Sequence, residues 1–201
     1  MPRISREEKE RNHQKILEAA SRRFRSEGLD AVGIDELMKT AGMTHGGFYN
    51  HFPSKDALAA AVCQQAFAAS HVAIADEVAT GAPLCEILRL YLSPEHRDDP
   101  DGGCPSAALV IDAGRHVGAI QDAYRDGVLG YLTDFTDAIV QDAANRGETL
   151  DVATARQRAM LLLSQVVGAM AISRAIVSSD RPLSDEILAT VRDNLQPDSN
   201  P

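Results

Sequence analysis

Between Thr44 and Lys55 the chain carries the Thr44 hydroxyl, the His45 and His51 imidazoles, the Tyr49 phenol and the Lys55 ammonium. Tyr49, His51 and Lys55 suit phosphate oxygens, contacts that position a protein on a duplex without reading sequence. Paired glycines, Gly46 and Gly47, stand among them. Each costs roughly 1 kcal/mol of helix stability relative to alanine, and its missing side chain lets backbone come close to a groove or a phosphate.

A second group of reactive side chains lies further along. Cys104 follows Asp101-Gly102-Gly103 and precedes Pro105, and proline favours the first position of a helix. That makes Cys104 an N-cap, where the helix dipole raises the thiolate fraction, although the acidic loop beside it opposes this. Asp112 and His116 stand one helical turn apart. With Cys104 they would suit a thiol enzyme or hydrolase, but no nucleophile elbow or oxyanion glycine motif accompanies them. No catalytic residue is assigned. Cys63, Cys85 and Cys104 are too few and too scattered for a disulfide framework or a tetrahedral zinc site, so neither metal nor cofactor is expected. Cys63 and Cys85 read as buried packing residues.

The elements that must position these groups are helical throughout, and the fold class is all-α. Ile16, Ala20 and Phe24 form an apolar stripe at i, i+4 spacing. Gly28 ends that helix in a left-handed conformation. Gly33 stands at an N-cap with Glu36 three residues on, a weakened capping box before a short second helix. Ala41-Gly42-Met43 makes a turn, and Thr44 caps a third short helix through His51. Two short helices joined by a glycine-containing turn, with a first helix packed across them, form a helix-turn-helix. Phe24, Ile34, Leu37, Met43, Phe48 and Phe52 are the expected shared core. The third helix of such a unit enters the DNA major groove, with its N-terminal residues Thr44, His45, Gly46 and Gly47 facing base edges.

Ser54 caps a long helix running from Lys55 to about Val78. A short helix is expected over 84–92, a polar acidic loop over 93–103, and helices over roughly 105–116, 118–146, 152–178 and 184–195, about nine in all. The stretch between Arg158 and Arg174 is the most apolar and reads as too short to cross a bilayer. Met1 to Asn12 is polar, so secretion is not expected and a reducing cytoplasm fits the cysteine usage.

The 201 residues carry a formal charge of −9, which argues against nucleic acid as a partner. The average hides a division. Residues 1–55 hold ten Lys or Arg against eight Asp or Glu, a net of +2, while the remainder nets −11 and contains no lysine. A basic end on an acidic body follows.

The stretch Ile16-Leu17-Glu18-Ala19-Ala20, then Phe24 and Gly28, Ile34-Asp35-Glu36-Leu37, and the run from Ala41 to Leu58 with its Phe48-Tyr49-Asn50-His51-Phe52-Pro53-Ser54-Lys55 resembles the DNA-binding domain of the TetR/AcrR family. The resemblance covers about a quarter of the chain. It implies a DNA-binding domain over 10–70 and an effector-binding and dimerisation domain over 71–201, joined by the long helix. By the same resemblance Gly33, Thr44, His45, Gly46, Gly47, Tyr49, His51 and Lys55 contact DNA, and Arg3 and Arg6 reach an adjacent groove. Family members usually have Thr where this chain has Gly33, which removes a capping hydroxyl and a phosphate contact. The family consists of homodimeric regulators, usually repressors, released from operators by a small molecule. That places the homodimer contact over about 152–195, along Met160, Leu163, Val167, Met170 and Val177 and the stripe Ile187, Leu188, Val191 and Leu195. It makes Phe67, His71, Cys104, His116 and Tyr124 the candidates for effector contact. Some relatives that sense electrophiles resemble this chain in a Gly-Cys at the start of the same helix, so Cys104 is also a candidate sensor thiol.

Overall fold

The computed structural model describes residues 5–100 and 102–195. It divides into two compact units: residues 1–67 with 100–125, and residues 68–99 with 126–201. The first unit therefore takes in 100–125 as well as the N-terminal helices, which a division at residue 70 assigns to the rest of the chain.

In the first unit α1 (Arg6–Glu27) opens on Ser5, whose Oγ accepts from the Glu8 N–H at 3.1 Å, and ends at Gly28 with φ 85°. Ile16, Leu17, Ala19, Ala20 and Phe24 are its buried face. Leu29 and Val32 are buried in the link to α2 (Ile34–Thr40), and Gly42 turns the chain at φ 74°. A 3-10 helix over His45–Asn50 follows, where the sequence predicts an ordinary third helix. Thr44 caps it by position alone, with no bond from its side chain, and two glycines occupy its first turn. A segment this short and this poor in helix-forming residues closes on i to i+3 bonds instead, such as Gly47 N–H to the Thr44 carbonyl at 2.9 Å. Phe48 and Phe52 lock it into the core. Of the expected core residues Phe24, Leu37, Phe48 and Phe52 are buried, while Ile34 and Met43 are only half-buried.

Ser54 caps α3 (Lys55–Ala79) by accepting from the Ala57 N–H at 3.1 Å. Leu58, Val62, Cys63 and Phe67 of its first half belong to this unit's core. Polar contacts tie α6 (Pro105–Arg115) to the end of α1. Arg25 donates to the Gly103 carbonyl at 2.8 Å, the buried Asp112 carboxylate accepts the Leu29 N–H at 3.1 Å, and His116 lies 3.3 Å from Asp30.

The second unit holds the rest of α3, α4 (Leu84–Tyr91), α5 (Pro94–Asp98), most of α7 (Ala119–Asn145), α8 (Val152–Ile176) and α9 (Arg181–Asp193). Helix α5 lies where the sequence predicts a loop. Ser93 caps it by accepting from the His96 N–H at 3.2 Å, with Pro94 in the first turn, so a Ser-Pro start signal was present. Asp180 and Pro182 likewise start α9 three residues before the expected 184. Helix α8 packs against α9 and α5. Its 25 residues extend the apolar Arg158–Arg174 run at both ends and, like those of α3, reach the length and composition that could cross a membrane, while the run between the two arginines is itself shorter than a span. Ala155, Ala159, Leu162, Val166 and Met170 of α8 are buried within the protein.

The buried centre of this unit is polar as well as apolar. Arg97, only 2% exposed, donates to Ser184 Oγ at 2.8 Å and to Asp98 at 2.8 Å, and pairs with Asp185. Asp98 also receives Arg181, and the two guanidinium groups hold its carboxyl down at about 2. Ser173 and Ser184 bond to one another at 2.6 Å, and Arg174 donates to the His96 and Arg97 carbonyls.

Candidate nucleic-acid interface

The start of the 3-10 helix lies at the surface. Thr44, His45 and Gly46 are exposed. The Thr44 side chain makes no cap bond. A methyl group added at Gly46 would meet nothing within 4 Å, and one at Gly47 only the flexible Met38 methyl at 3.5 Å and Thr44 Oγ1 at 3.9 Å. Packing therefore does not require either glycine, and neither has a positive φ. Tyr49 is 59% exposed despite its aromatic ring, which stands edge-on to the buried Phe48 at 5.2 Å.

His51 is partly buried beside α1. Its Nδ1 has no hydrogen-bond partner, and burial, with His13 and Lys9 adding to it, holds its basicity below the ordinary histidine value. The His13 ring stacks on Phe52 at 4.5 Å and lies 6.1 Å from His51. Sequence spacing missed His13, because its neighbours here are about forty residues away along the chain. Lys55 opens α3, on the helix that Ser54 caps. Gly33 is the exposed N-cap of α2, has no side-chain bond to give, and a side chain there would meet nothing within 4 Å. Arg6 is the first residue of α1 and not part of a preceding arm, and Arg3 lies outside the described residues.

A second residue the sequence passed over is Asp35. It pairs with His45 Nδ1 from the first turn of α2, while its neighbour Glu36 is held by Arg23 at 2.8 Å. Arg23 also grips Glu27, and both carboxylates raise its already high pKa.

The residues singled out for effector contact fall into three places. Phe67, Cys104 and Tyr124 come together in the first unit. Phe67 meets the Tyr124 ring edge-on at 5.5 Å, Tyr124 donates to the Ser106 carbonyl at 2.9 Å, and Cys104 Sγ lies 2.8 Å from Ser106 Oγ. Burial, with the nearby Cys104 and Cys63, pushes the Tyr124 hydroxyl well above its ordinary pKa, and burial alone pushes the Cys63 thiol up to about 12. Cys104 does cap α6 by position, without a side-chain cap bond. His116 stands apart near Asp30, and Asp112 faces Leu29, so the two side chains one turn apart serve different partners. His71 lies in the second unit. Its Nδ1 bonds Asp134 at 2.7 Å, its ring packs on Tyr131 at 4.7 Å, and it leaves no room for a side chain at Gly130, where a Cβ would stand 2.5 Å from the ring. Cys63 and Cys85 are both buried. Among the described residues no cluster of three or more His, Cys, Asp or Glu is placed to hold a metal.

A three-helix unit whose last, short helix projects unused polar groups and bare glycines is a helix-turn-helix of the DNA-binding class. Residues 16–62 match the family model of bacterial regulatory proteins, tetR family, so this segment is similar to the DNA-binding domain of that family. The transcriptional regulator AcuR of Cereibacter sphaeroides is 26% identical over 122 residues, covering 60% of this chain and 55% of AcuR. The transcriptional repressor NemR of Escherichia coli K12 is 35% identical over 54 residues, 27% of each chain. The chain thus aligns with little more than half the length of AcuR and about a quarter of NemR. Whole-chain likeness appears in solved structures. A TetR-family regulator from Cytophaga hutchinsonii superposes with a TM-score of 0.75 at 23% identity, covering 96% of both chains. The reduced form of E. coli NemR gives 0.69 at 21%, covering 94% of this chain and all of that one. At such identities these likenesses show the fold.

Proposed function

We propose that the chain is a cytoplasmic transcriptional repressor that binds operator DNA as a homodimer and leaves it when a small molecule binds. The observation that carries this reading is the start of the 3-10 helix, where the Thr44 side chain makes no cap bond and neither Gly46 nor Gly47 is required by packing. Thr44, His45, Gly46 and Gly47 face bases, Tyr49, His51 and Lys55 hold phosphates, and Gly33 offers only its backbone N–H. One such unit reads too little DNA for useful specificity, and two half-sites call for two-fold symmetry. The second unit supplies a surface for it: Met160 and Leu161 on α8 and Leu183 on α9 are between 43 and 51% exposed, and Ile172 is 54% exposed. Leu163, Met170 and Leu188, which the sequence stripes include, lie inside the unit and contribute to its own core. An effector that favours a dimer with its reading heads away from the spacing of successive major grooves, about 34–36 Å, needs only ~1–3 kcal/mol of coupling to weaken binding several-fold.

The test is a fluorescence-anisotropy titration of the reduced protein against the duplex upstream of its own gene, at two salt concentrations. The expected result is tight binding with a steep salt slope. Equal affinity for that duplex and an unrelated one removes autoregulation, and absence of salt-dependent binding to any duplex removes the DNA-binding reading.

A second reading concerns how release is triggered. The Gly103 carbonyl, adjacent to Cys104, is held by Arg25 of α1. Addition of the Cys104 thiol to a quinone forms an S–C bond and delivers the thiol proton to a ring oxygen. The adduct enlarges the chain next to that tie. Quinone treatment abolishing DNA binding in wild type but not in Cys104→Ser supports this trigger; binding that survives treatment in both leaves a non-covalent effector.

A further inference from the structure

The pairing of His45 with Asp35 has a consequence for which base the reading helix selects. The geometry points to Asp35 as a positioning residue that fixes the His45 tautomer, so that His45 offers a hydrogen-bond acceptor, Nε2, to an exocyclic amino group on the DNA. This rests on the reading above, in which His45 faces bases.

Asp35 Oδ1 is the partner of His45 Nδ1. An ionised carboxylate can only accept, so Nδ1 must carry the proton. In a neutral imidazole the second nitrogen is then an acceptor, and which nitrogen is protonated is set by the bond the other one makes. A solvated histidine favours the opposite tautomer, with Nε2 protonated and donating. In the major groove the two tautomers match different edges. An acceptor pairs with the amino group of adenine or cytosine; a donor pairs with the N7 of either purine, guanine O6 or thymine O4, so only the acceptor favours adenine over guanine and cytosine over thymine.

The surroundings leave His45 free to do this. It is the first residue of the 3-10 helix, followed by two glycines, so no large side chain crowds it from its own turn. Half of its side chain is open to solvent, and its ring meets Tyr49 at 6.1 Å, edge-on. Asp35 itself sits in the first turn of α2, where the helix N-terminus favours a carboxylate. The adjacent carboxylate, Glu36, is engaged by Arg23 and serves as the internal control. An exposed pair of this kind is weak in free protein, and it strengthens when a docked duplex excludes water from it.

Two measurements test the proposal with the full chain. Nitrogen-15 spectra of the histidine rings at about pH 8, above the range where histidines ordinarily titrate, should show His45 protonated at Nδ1 in wild type and in Glu36→Gln. In Asp35→Ala the Nε2-protonated form should take over. Selection from a randomised duplex library should give wild type and Glu36→Gln the same adenine or cytosine at one position of each half-site. Asp35→Ala should lose about tenfold of that preference and shift toward guanine or thymine. His45→Ala should lose the preference altogether. An Nε2-protonated His45 in wild type, or the same base preference with and without Asp35, overturns the inference while leaving the repressor reading intact. Failure of wild type to enrich any duplex overturns both.

Discussion

The short 3-10 helix of the first unit and the centre of the second use their polar side chains in opposite ways. In the first, Thr44 and Gly46 remain at the surface with no side-chain part in the packing, and Tyr49 is largely exposed beside Phe48. In the second, Arg97, Ser173, Ser184, Arg174 and His71 are turned inward and joined to partners on other helices. A group exposed and unbonded within the protein is available to a ligand; a buried group whose bonds are all made within its own chain is not. The contrast explains why the candidate DNA contacts were legible in the sequence and why the candidates for effector contact were not. His71, a candidate for effector contact, is already engaged by Asp134 and wedged against Gly130.

The largest test of that contrast is Arg97→Ala. It removes the buried donor that binds Ser184, Asp98 and Asp185 together, and should cost about 3 kcal/mol or more in denaturant unfolding. A loss below ~1 kcal/mol, the worth of an exposed pair, would mean that the network is peripheral. Next comes Gly130→Ala, whose Cβ collides with the His71 ring. We expect a loss of about 1–3 kcal/mol, largely recovered in the double variant His71→Ala, Gly130→Ala. No recovery would show that the glycine serves the backbone of α7 and not the histidine.

Gly46→Ala tests the reading end from the other side. With open space at that position and no positive φ, alanine should stabilise the fold by roughly 0.5–1 kcal/mol while weakening DNA binding. A variant that is more stable and binds DNA equally well would remove the close-approach argument for that glycine. Loss of stability instead would mean that the fold needs it.

The smallest effect is with pH. His51 in the first unit and His96 in the second are both held below the ordinary value near 6.5, chiefly by burial. Each stays neutral when folded and takes up a proton more readily when unfolded. The unfolded state therefore binds more protons in this window, and stability falls as pH drops below about 6.5. His51→Gln should flatten part of that slope, and His96→Gln a separate part; an unchanged slope in both would assign the acid sensitivity elsewhere.

Much of the first unit was legible because its determinants are neighbours along the chain. The Phe24 stripe, Gly28, the turn at Gly42 and the Ser54 cap each act over three to eight residues, and all appear where expected. Local signals also existed for α5 and α9, in Ser93-Pro94 and Asp180-Arg181-Pro182, but the acidic composition masked the first, and the apolar stripe of the second begins only at Ile187, past its start. The narrowing of the third helix to a 3-10 turn follows from Gly46 and Gly47, yet whether tertiary packing would override that weakness could not be read from the residues themselves.

What the sequence determined alone is the all-helical fold class and the helix-turn-helix, because periodicity, caps and turn residues act locally. Tertiary structure decided which polar groups are left over. Arg97 with Ser184, His71 with Asp134, Asp112 with Leu29 and His13 with His51 are separated by tens of residues. Nothing in the spacing of an arginine or a histidine tells which distant helix will supply its partner, since that depends on how apolar faces pack and on which polar atoms the packing then strands from water.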